Sequence, residues 1–302
     1  MREQPNGHHP DLHIALGHLL SSGGKRVRPA VALLTGGMYR ANPDKLVTLG
    51  AAIELLHTAT LVHDDLIDGA LFRRGIATLN ARWTPAATVL TGDYVFARAA
   101  KLASDTDSVE VMQLFAETLA TIVNGELTQM FTSRGLASRE DYYRRIFAKT
   151  ASMFVLATTG AAILSPKNTE EMIQVARSFG HDIGMAFQIV DDVLDFTGEQ
   201  TTVGKPVASD LQQGLLTLPA LYYYEMHPDD PDLIALLNGQ YFSDDRISRL
   251  VGEIRKSGSI EKSLSEAQRY ADCALDTLRL QPECTERFAL EDLTRYIVHR
   301  TL

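Results

Sequence analysis

Glu54-Leu55-Leu56-His57-Thr58-Ala59-Thr60-Leu61-Val62-His63-Asp64-Asp65-Leu66-Ile67-Asp68 is the stretch on which the fold turns. Ile53, Leu56, Thr60 and Ile67 recur at spacings of three, four and seven, so the pattern predicts a helix over Ala51 to Leu71. That helix carries three aspartates in the arrangement D-D-x-x-D. Residues four apart share a helix face, which places Asp64 over Asp68. Like charges at this spacing destabilise an isolated helix unless something neutralises them.

A second copy of the arrangement follows far along the chain, in Val190-Asp191-Asp192-Val193-Leu194-Asp195. It too interrupts an apolar helical stretch, and Asp191 sits over Asp195. One such cluster reads equally well as a solvated helix face. Two with the same internal spacing, both flanked by apolar residues, point to a shared ligand. Mg²⁺ takes oxygen ligands and bridges one or two carboxylates to substrate phosphates. Two such helices facing across a cleft would clamp a diphosphate.

The rest of the chain is helical in pattern. Stripes run through Val109 to Phe131, Thr169 to Phe196 and Ser243 to Leu278, and Gly and Pro fall where helices stop or start. Alternating strand patterns are hard to find. The expected fold is all-α, with ten or so helices in a single domain spanning 1–302. Apolar residues at 45% and charged residues at 22% fit an ordinary globular protein. Cys273 and Cys284 offer neither a disulfide framework nor metal-ligand spacing, which makes a reducing cytoplasm the default. Residues 1–10 lack the apolar core of a signal peptide. The longest apolar run, Ala151 to Leu164, falls short of the roughly 20 residues that a membrane span needs.

The net charge of −9 argues against nucleic acid as a partner. Basic residues nevertheless cluster: Lys25, Arg26 and Arg28 beside Gly23-Gly24; Arg73 and Arg74 after the first aspartates; Arg144, Arg145 and Lys149; and Lys205 after the second aspartates. Local cations on an acidic protein suit a small anion, and Arg grips phosphate in bidentate fashion.

These segments resemble the trans-prenyl diphosphate synthase family. The resemblance rests on GGKRVRP (23–29), ELLHTATLVHDDLIDGALFRRG (54–75), GDYVFARA (92–99), NGELTQM (124–130), AKTASMF (148–154), FQIVDDVLDFTG (187–198) and GKPVASDL (204–211). It implies a large helical bundle around a central cavity, built as a homodimer. By the same resemblance, Asp64, Asp68 and Asp191 are direct Mg²⁺ ligands, with three ions in the loaded site. Asp65, Asp192 and Asp195 are supporting carboxylates. Lys25, Arg28, His57 and Arg74 resemble the isopentenyl diphosphate pocket. Arg73, Lys149, Thr150, Gln188 and Lys205 resemble the contacts to the allylic diphosphate. The implied chemistry is ionisation of the allylic diphosphate, attack by the isopentenyl double bond, and loss of a proton. Two features depart from the family pattern. Leu215 stands where D-L-x-x-G-K has lysine, and the stretch before Gly23 is short.

Product length in that family depends on the floor below the first aspartates. Ala59 and Thr60 are small and Leu56 is the next constriction, which favours a medium or long product of about thirty to fifty carbons. So apolar a product implies release at a membrane surface. Competing readings are a geranylgeranyl or farnesyl synthase, a subunit of a heteromeric synthase, a class I terpene cyclase, and a helical phosphohydrolase built on His57 and His63-Asp64. The cyclase reading fits the all-aspartate second cluster poorly. The phosphohydrolase reading leaves that cluster and GGKRVRP without a role.

Overall fold

The long helices begin where a short polar side chain can take up free amide groups. Asn42 accepts from the amides of Asp44 and Lys45, with Pro43 in the first turn where its missing N–H is no loss. Thr169 accepts from the Met172 amide, and Glu170 and Glu171 favour the positive end of the same helix. A computed structural model of the chain describes residues 10–21, 23–73, 75–131, 138–198, 208–238 and 243–300. Arg74 and Lys205 lie outside the described residues.

The helices of seven residues or more are α1 (Pro10–Ser21), α2 (Val27–Met38), α3 (Pro43–Ile67), α4 (Pro85–Ser104), α5 (Val109–Phe131), α6 (Arg139–Ile146), α7 (Ser152–Ile163), α8 (Glu170–Thr197), α9 (Leu218–Met226), α10 (Pro231–Leu237), α11 (Asp244–Lys256), α12 (Ser259–Arg279) and α13 (Thr285–His299), and Ser209–Gln212 forms a single helical turn between α8 and α9. A π-helical turn, Phe147–Ala151, joins α6 to α7. The architecture is all-α, as the sequence predicts. Among the described residues the sheet content is a two-residue hairpin, with Phe72 opposite Ala77 and Arg73 opposite Ile76.

At the centre, α3 packs on α2, α4 and α7, while α8 packs on α7 and α12. Ile53 and Leu56 of α3, Phe115 of α5, Met153 and Phe154 of α7, and Phe179 and Ile183 of α8 share one buried cluster. Tyr142, Met185, Ile189, Val193 and Phe196 form a second with Leu218 and Ile254. α7 is buried on every side from Ser152 to Ala162, as an apolar helix without a polar face must be. α3 and the stretch Arg139–Ile163 are long and apolar enough to cross a membrane by length and composition, and more than half of each apolar window is buried within the protein.

Two boundaries differ from the sequence pattern. The first aspartate helix ends at Ile67 rather than Leu71, and the chain turns through Gly69 (φ 64°) into the hairpin that carries Arg73. The stripe over Ser243 to Leu278 is broken at Gly258, whose φ of 82° a helix cannot hold. Periodicity is blind to such a break because the apolar phase resumes after it.

Glycines set the spacing of the central helices. A Cβ on Gly180 would collide with Thr158 Oγ1 and lie 2.8 Å from the Phe154 carbonyl; one on Gly184 would lie 2.6 Å from Ala151 Cα. α7 and α8 therefore meet backbone to backbone. Gly180→Val is expected to destabilise the protein by about 1–3 kcal/mol through overpacking, read from its urea unfolding midpoint. An unchanged midpoint would show that the two helices separate freely.

Candidate active site

Both aspartate clusters sit at the C-terminal ends of their helices. Asp64 and Asp65 lie in the last turn of α3, with Asp68 as its capping residue, and Asp191, Asp192 and Asp195 lie in the last two turns of α8. A helix C-terminus carries partial negative charge, so it disfavours anions. Like-charge repulsion along each helix adds to the cost. Each cluster therefore requires cations.

The surrounding elements provide them. The π turn directs Lys149 back across the site, where its Nζ lies 3.3 Å from Asp64 and 2.9 Å from Glu126 of α5. π turns of this kind recur at functional sites. Arg73 Nε donates to Asp65 at 2.7 Å. Arg300, which follows α13, donates to Asp191 Oδ1 at 2.5 Å and to the Phe187 carbonyl at 2.9 Å. Asp192 is held by neutral donors: the Tyr142 hydroxyl at 2.7 Å and the Gln188 amide at 2.7 Å. Thr150 in turn donates to Gln188 Oε1 at 2.6 Å. The Asp210 amide reaches Asp195 at 3.4 Å.

A cavity of 680 Å³ opens beside these groups. Its wall brings together Lys25, Arg28, His57, Asp65, Arg73, Gln188, Asp191, Asp192 and Asp195, along with Glu54, Asp210 and Arg300. Gly23 (φ 74°) and Gly24 (φ 153°) form the turn ahead of Lys25. The Arg26 side chain, whose backbone is also left-handed (φ 51°), pairs with Glu54 and fastens that loop to α3. Arg28 lies over Phe154 at 5.3 Å and over Phe187 at 5.9 Å.

Several predicted residues stand off this wall. Asp68 is exposed at the end of α3, and Asp64, Lys149 and Thr150 join the site through the contacts above. Leu56, Ala59 and Thr60 are buried on another face of α3; Leu56 and Ala59 share a core cluster with Val95, Ala99 and Phe115. His63 turns away from the aspartates. Its ring packs on Phe96 at 5.3 Å, against Gly92, with Nε2 3.4 Å from Asp93. It therefore adds no histidine to a His-Asp metal pair.

Burial raises the Asp64 pKa; Lys149 opposes this, and Glu126 and Asp68 add to it. Burial likewise raises Asp191, although Arg300, Arg28 and Lys25 pull it down. For Lys149, burial acts to lower the pKa, but Asp64 and Glu126 outweigh it and hold the value above the ordinary one. Asp192 is pushed up to about 7 by burial and then by Asp210, against the hydrogen bonds from Gln188 and Tyr142.

Glu126, Tyr142, Asp210 and Arg300 are site residues that the sequence reading left unassigned. Glu126 and Asp210 fall inside quoted motifs, and Tyr142 lies two turns ahead of Lys149, so spacing held a signal for three of the four. Nothing in spacing places Arg300.

The donor set of Asp64, Asp68 and Asp191 is all carboxylate oxygen, which fits a hard divalent cation. Among the described residues, no group of three histidine, cysteine or acidic side chains forms a metal cage alone. An ion that completes its shell with water and phosphate oxygens needs no such cage.

The sequence model of the polyprenyl synthetase family matches residues 9–254. Heptaprenyl diphosphate synthase component 2 of Geobacillus stearothermophilus is 36% identical over 284 residues, covering 94% of this chain and 88% of the relative. Octaprenyl diphosphate synthase of Escherichia coli is 33% identical over 291 residues, covering 94% and 88%. A Caulobacter crescentus polyprenyl synthase, solved with calcium and isoprenyl diphosphate, superposes with a TM-score of 0.89 at 33% identity, covering 95% of this chain and 88% of that one.

In metal-free protein, Asp192 keeps its proton up to about pH 7, against an ordinary 3.8. The folded state then binds more protons than the unfolded one between those values, so stability falls as pH rises through that window. Asp192→Asn is expected to flatten this slope in urea unfolding of the metal-free protein between about pH 4 and about pH 7. An unchanged slope would assign the titration to another group.

Proposed function

Because this chain belongs to the polyprenyl synthetase family, we propose that it condenses isopentenyl diphosphate with an allylic diphosphate to give a medium- or long-chain all-trans polyprenyl diphosphate. The observation that carries this reading is that Asp65 of the first cluster and Asp191, Asp192 and Asp195 of the second share one cavity wall with Lys25, Arg28, His57 and Arg73. A site with cations on one side and paired carboxylates on the other suits two diphosphates, one held directly and one through metal.

Asp64, Asp68 and Asp191 are the groups that would hold Mg²⁺, three ions in the loaded site. Bound there, Mg²⁺ supplies Lewis-acid stabilisation of the departing pyrophosphate. The chain's own residues do the rest. Lys149 sits on Asp64 and Glu126, with its charge secured by both, and faces the allylic diphosphate together with Arg73, Thr150 and Gln188. Lys205, which lies outside the described residues, is proposed for the same diphosphate. Tyr142 and Gln188 fix Asp192, and Arg300 holds the adjacent Asp191. Lys25, Arg28 and His57, with Arg74, take the isopentenyl diphosphate. Fixed charges of this kind stabilise charge as it develops and need no reorganisation during reaction. His18 of α1 and Ala77 of the hairpin both line the cavity, with His18 Nε2 2.7 Å from the Ala77 carbonyl, a contact that would help to limit water at a carbocation.

A long product agrees with small residues at Ala59 and Thr60, and with relatives that make seven- and eight-unit chains. A homodimer agrees with the outward stripes Ala86, Leu90 and Ala97 on α4 and Ala116, Ala120, Val123, Leu127 and Met130 on α5, all exposed on the isolated chain. The name of the Geobacillus relative favours one further reading, a catalytic subunit that needs a partner. The free thiols of Cys273 and Cys284 agree with a cytoplasmic setting, from which the apolar product would leave at a membrane surface. The last helices support one domain for the whole chain, since α13 packs back on α2 and α8.

Purified protein incubated with Mg²⁺, labelled isopentenyl diphosphate and farnesyl diphosphate is expected to yield a ladder ending beyond twenty carbons. Termination at twenty would keep the reaction and overturn the open floor, and no incorporation with any allylic primer would point to a missing partner. Ala59→Phe, checked for folding by circular dichroism, is expected to end the ladder earlier; an unchanged ladder would remove Ala59 from length control. Leu127→Arg is expected to shift the protein to monomer in size-exclusion chromatography; an unchanged elution volume would move the interface elsewhere.

A further inference from the structure

Arg300 lies beyond the segment matched by the family model and beyond any motif quoted above. Its side chain is only 5% exposed and lies on the wall of the 680 Å³ cavity. Its Nη2 bonds Asp191 and the Phe187 carbonyl, and its guanidinium stacks at 4.3 Å on the Phe187 ring. Its Nε is buried and has no hydrogen-bond partner among the described residues. A buried guanidinium that spends one edge on a carboxylate and leaves a donor unmet is arranged for a second anion.

The carboxylate it holds is the one proposed to bind metal. A divalent cation and a guanidinium repel each other, so a metal on Asp191 must displace Arg300 or weaken its hold. A displaced guanidinium stays on a wall that already carries Lys25 and Arg28, where like charges repel it. The groups on that wall favour an anion as its new partner, and a diphosphate is the anion the cavity is built for.

We propose that Arg300 is an exchangeable counter-ion: it occupies Asp191 until metal takes that carboxylate, and it then transfers its guanidinium to a diphosphate in the cavity. Metal binding at the second aspartate cluster and diphosphate binding beside Lys25 and Arg28 therefore reinforce each other, and the effect is reciprocal. This inference rests on the prenyltransferase reading.

Mn²⁺ binding followed by electron paramagnetic resonance, in protein free of diphosphate, tests the exchange. Arg300→Gln is expected to bind Mn²⁺ more tightly than the parent, because its competitor for Asp191 is gone. The same variant is expected to bind inorganic pyrophosphate about tenfold more weakly at saturating Mg²⁺, because the transferred contact is lost. Arg300→Lys keeps the charge and is expected to stay nearer the parent in both titrations, which separates the exchange from misfolding. Equal or weaker Mn²⁺ binding by Arg300→Gln would overturn the proposal, as would undiminished pyrophosphate binding. Parent protein that incorporates isopentenyl diphosphate while these titrations fail would sink the exchange alone. Parent protein that neither binds Mn²⁺ nor incorporates isopentenyl diphosphate would sink the prenyltransferase reading beneath it.

Discussion

Carboxylates placed at the negative ends of two buried helices are the constraint on which the structure depends. α3 and α8 each end in aspartates that repel one another and also oppose the helix dipole. A protein keeps such an arrangement only if counter-charge is close at hand. Lys149, Arg73 and Arg300 serve Asp64, Asp65 and Asp191 in turn, while the fully buried Asp192 is held by Tyr142 and Gln188. Apart from Gln188, which lies on α8 itself, these partners come from other parts of the chain. The electrostatics of the site thus ties the π turn, the hairpin, α6 and the end of α13 to the two aspartate helices.

Close helix packing gives that charge arrangement its precision. α7 meets α8 at Gly180 and Gly184, and α5 meets the π turn at Gly125, where a Cβ would lie 2.6 Å from Ala148 Cβ. Lys149 and Thr150 sit on that turn, between Glu126 on one side and Gln188 on the other. The glycines and the chemistry are therefore parts of one design: without small residues on α5 and α8, the lysine could not reach the aspartate across the gap. On the opposite side, the Arg26–Glu54 pair fastens the glycine loop that carries Lys25 and Arg28.

Much of this was legible in the sequence. The apolar periodicity around each D-D-x-x-D placed its carboxylates on a helix, as α3 and α8 do up to the cap at Asp68, and the repetition implied a shared ligand. The stripe over Val109 to Phe131 coincides with α5. Local pattern fails where tertiary context decides. The break at Gly258 keeps the apolar phase on both sides, so only backbone conformation reveals it. Arg73 sits in a hairpin because Gly69 and Gly75 allow a tight turn, while the residues between them carry little strand character. His63 stands next to Asp64 in sequence but faces Asp93 on α4. Arg300 reaches Asp191 only because α13 returns to the bundle.

The claim at the centre is that the two aspartate clusters are counter-charged together by metal and diphosphate. Anomalous diffraction from crystals grown with Mn²⁺ and pyrophosphate tests it most directly. Manganese peaks beside Asp64 and Asp68 and beside Asp191, bridged by pyrophosphate, are the expected result. Pyrophosphate seated away from both clusters, or manganese at neither, would contradict it.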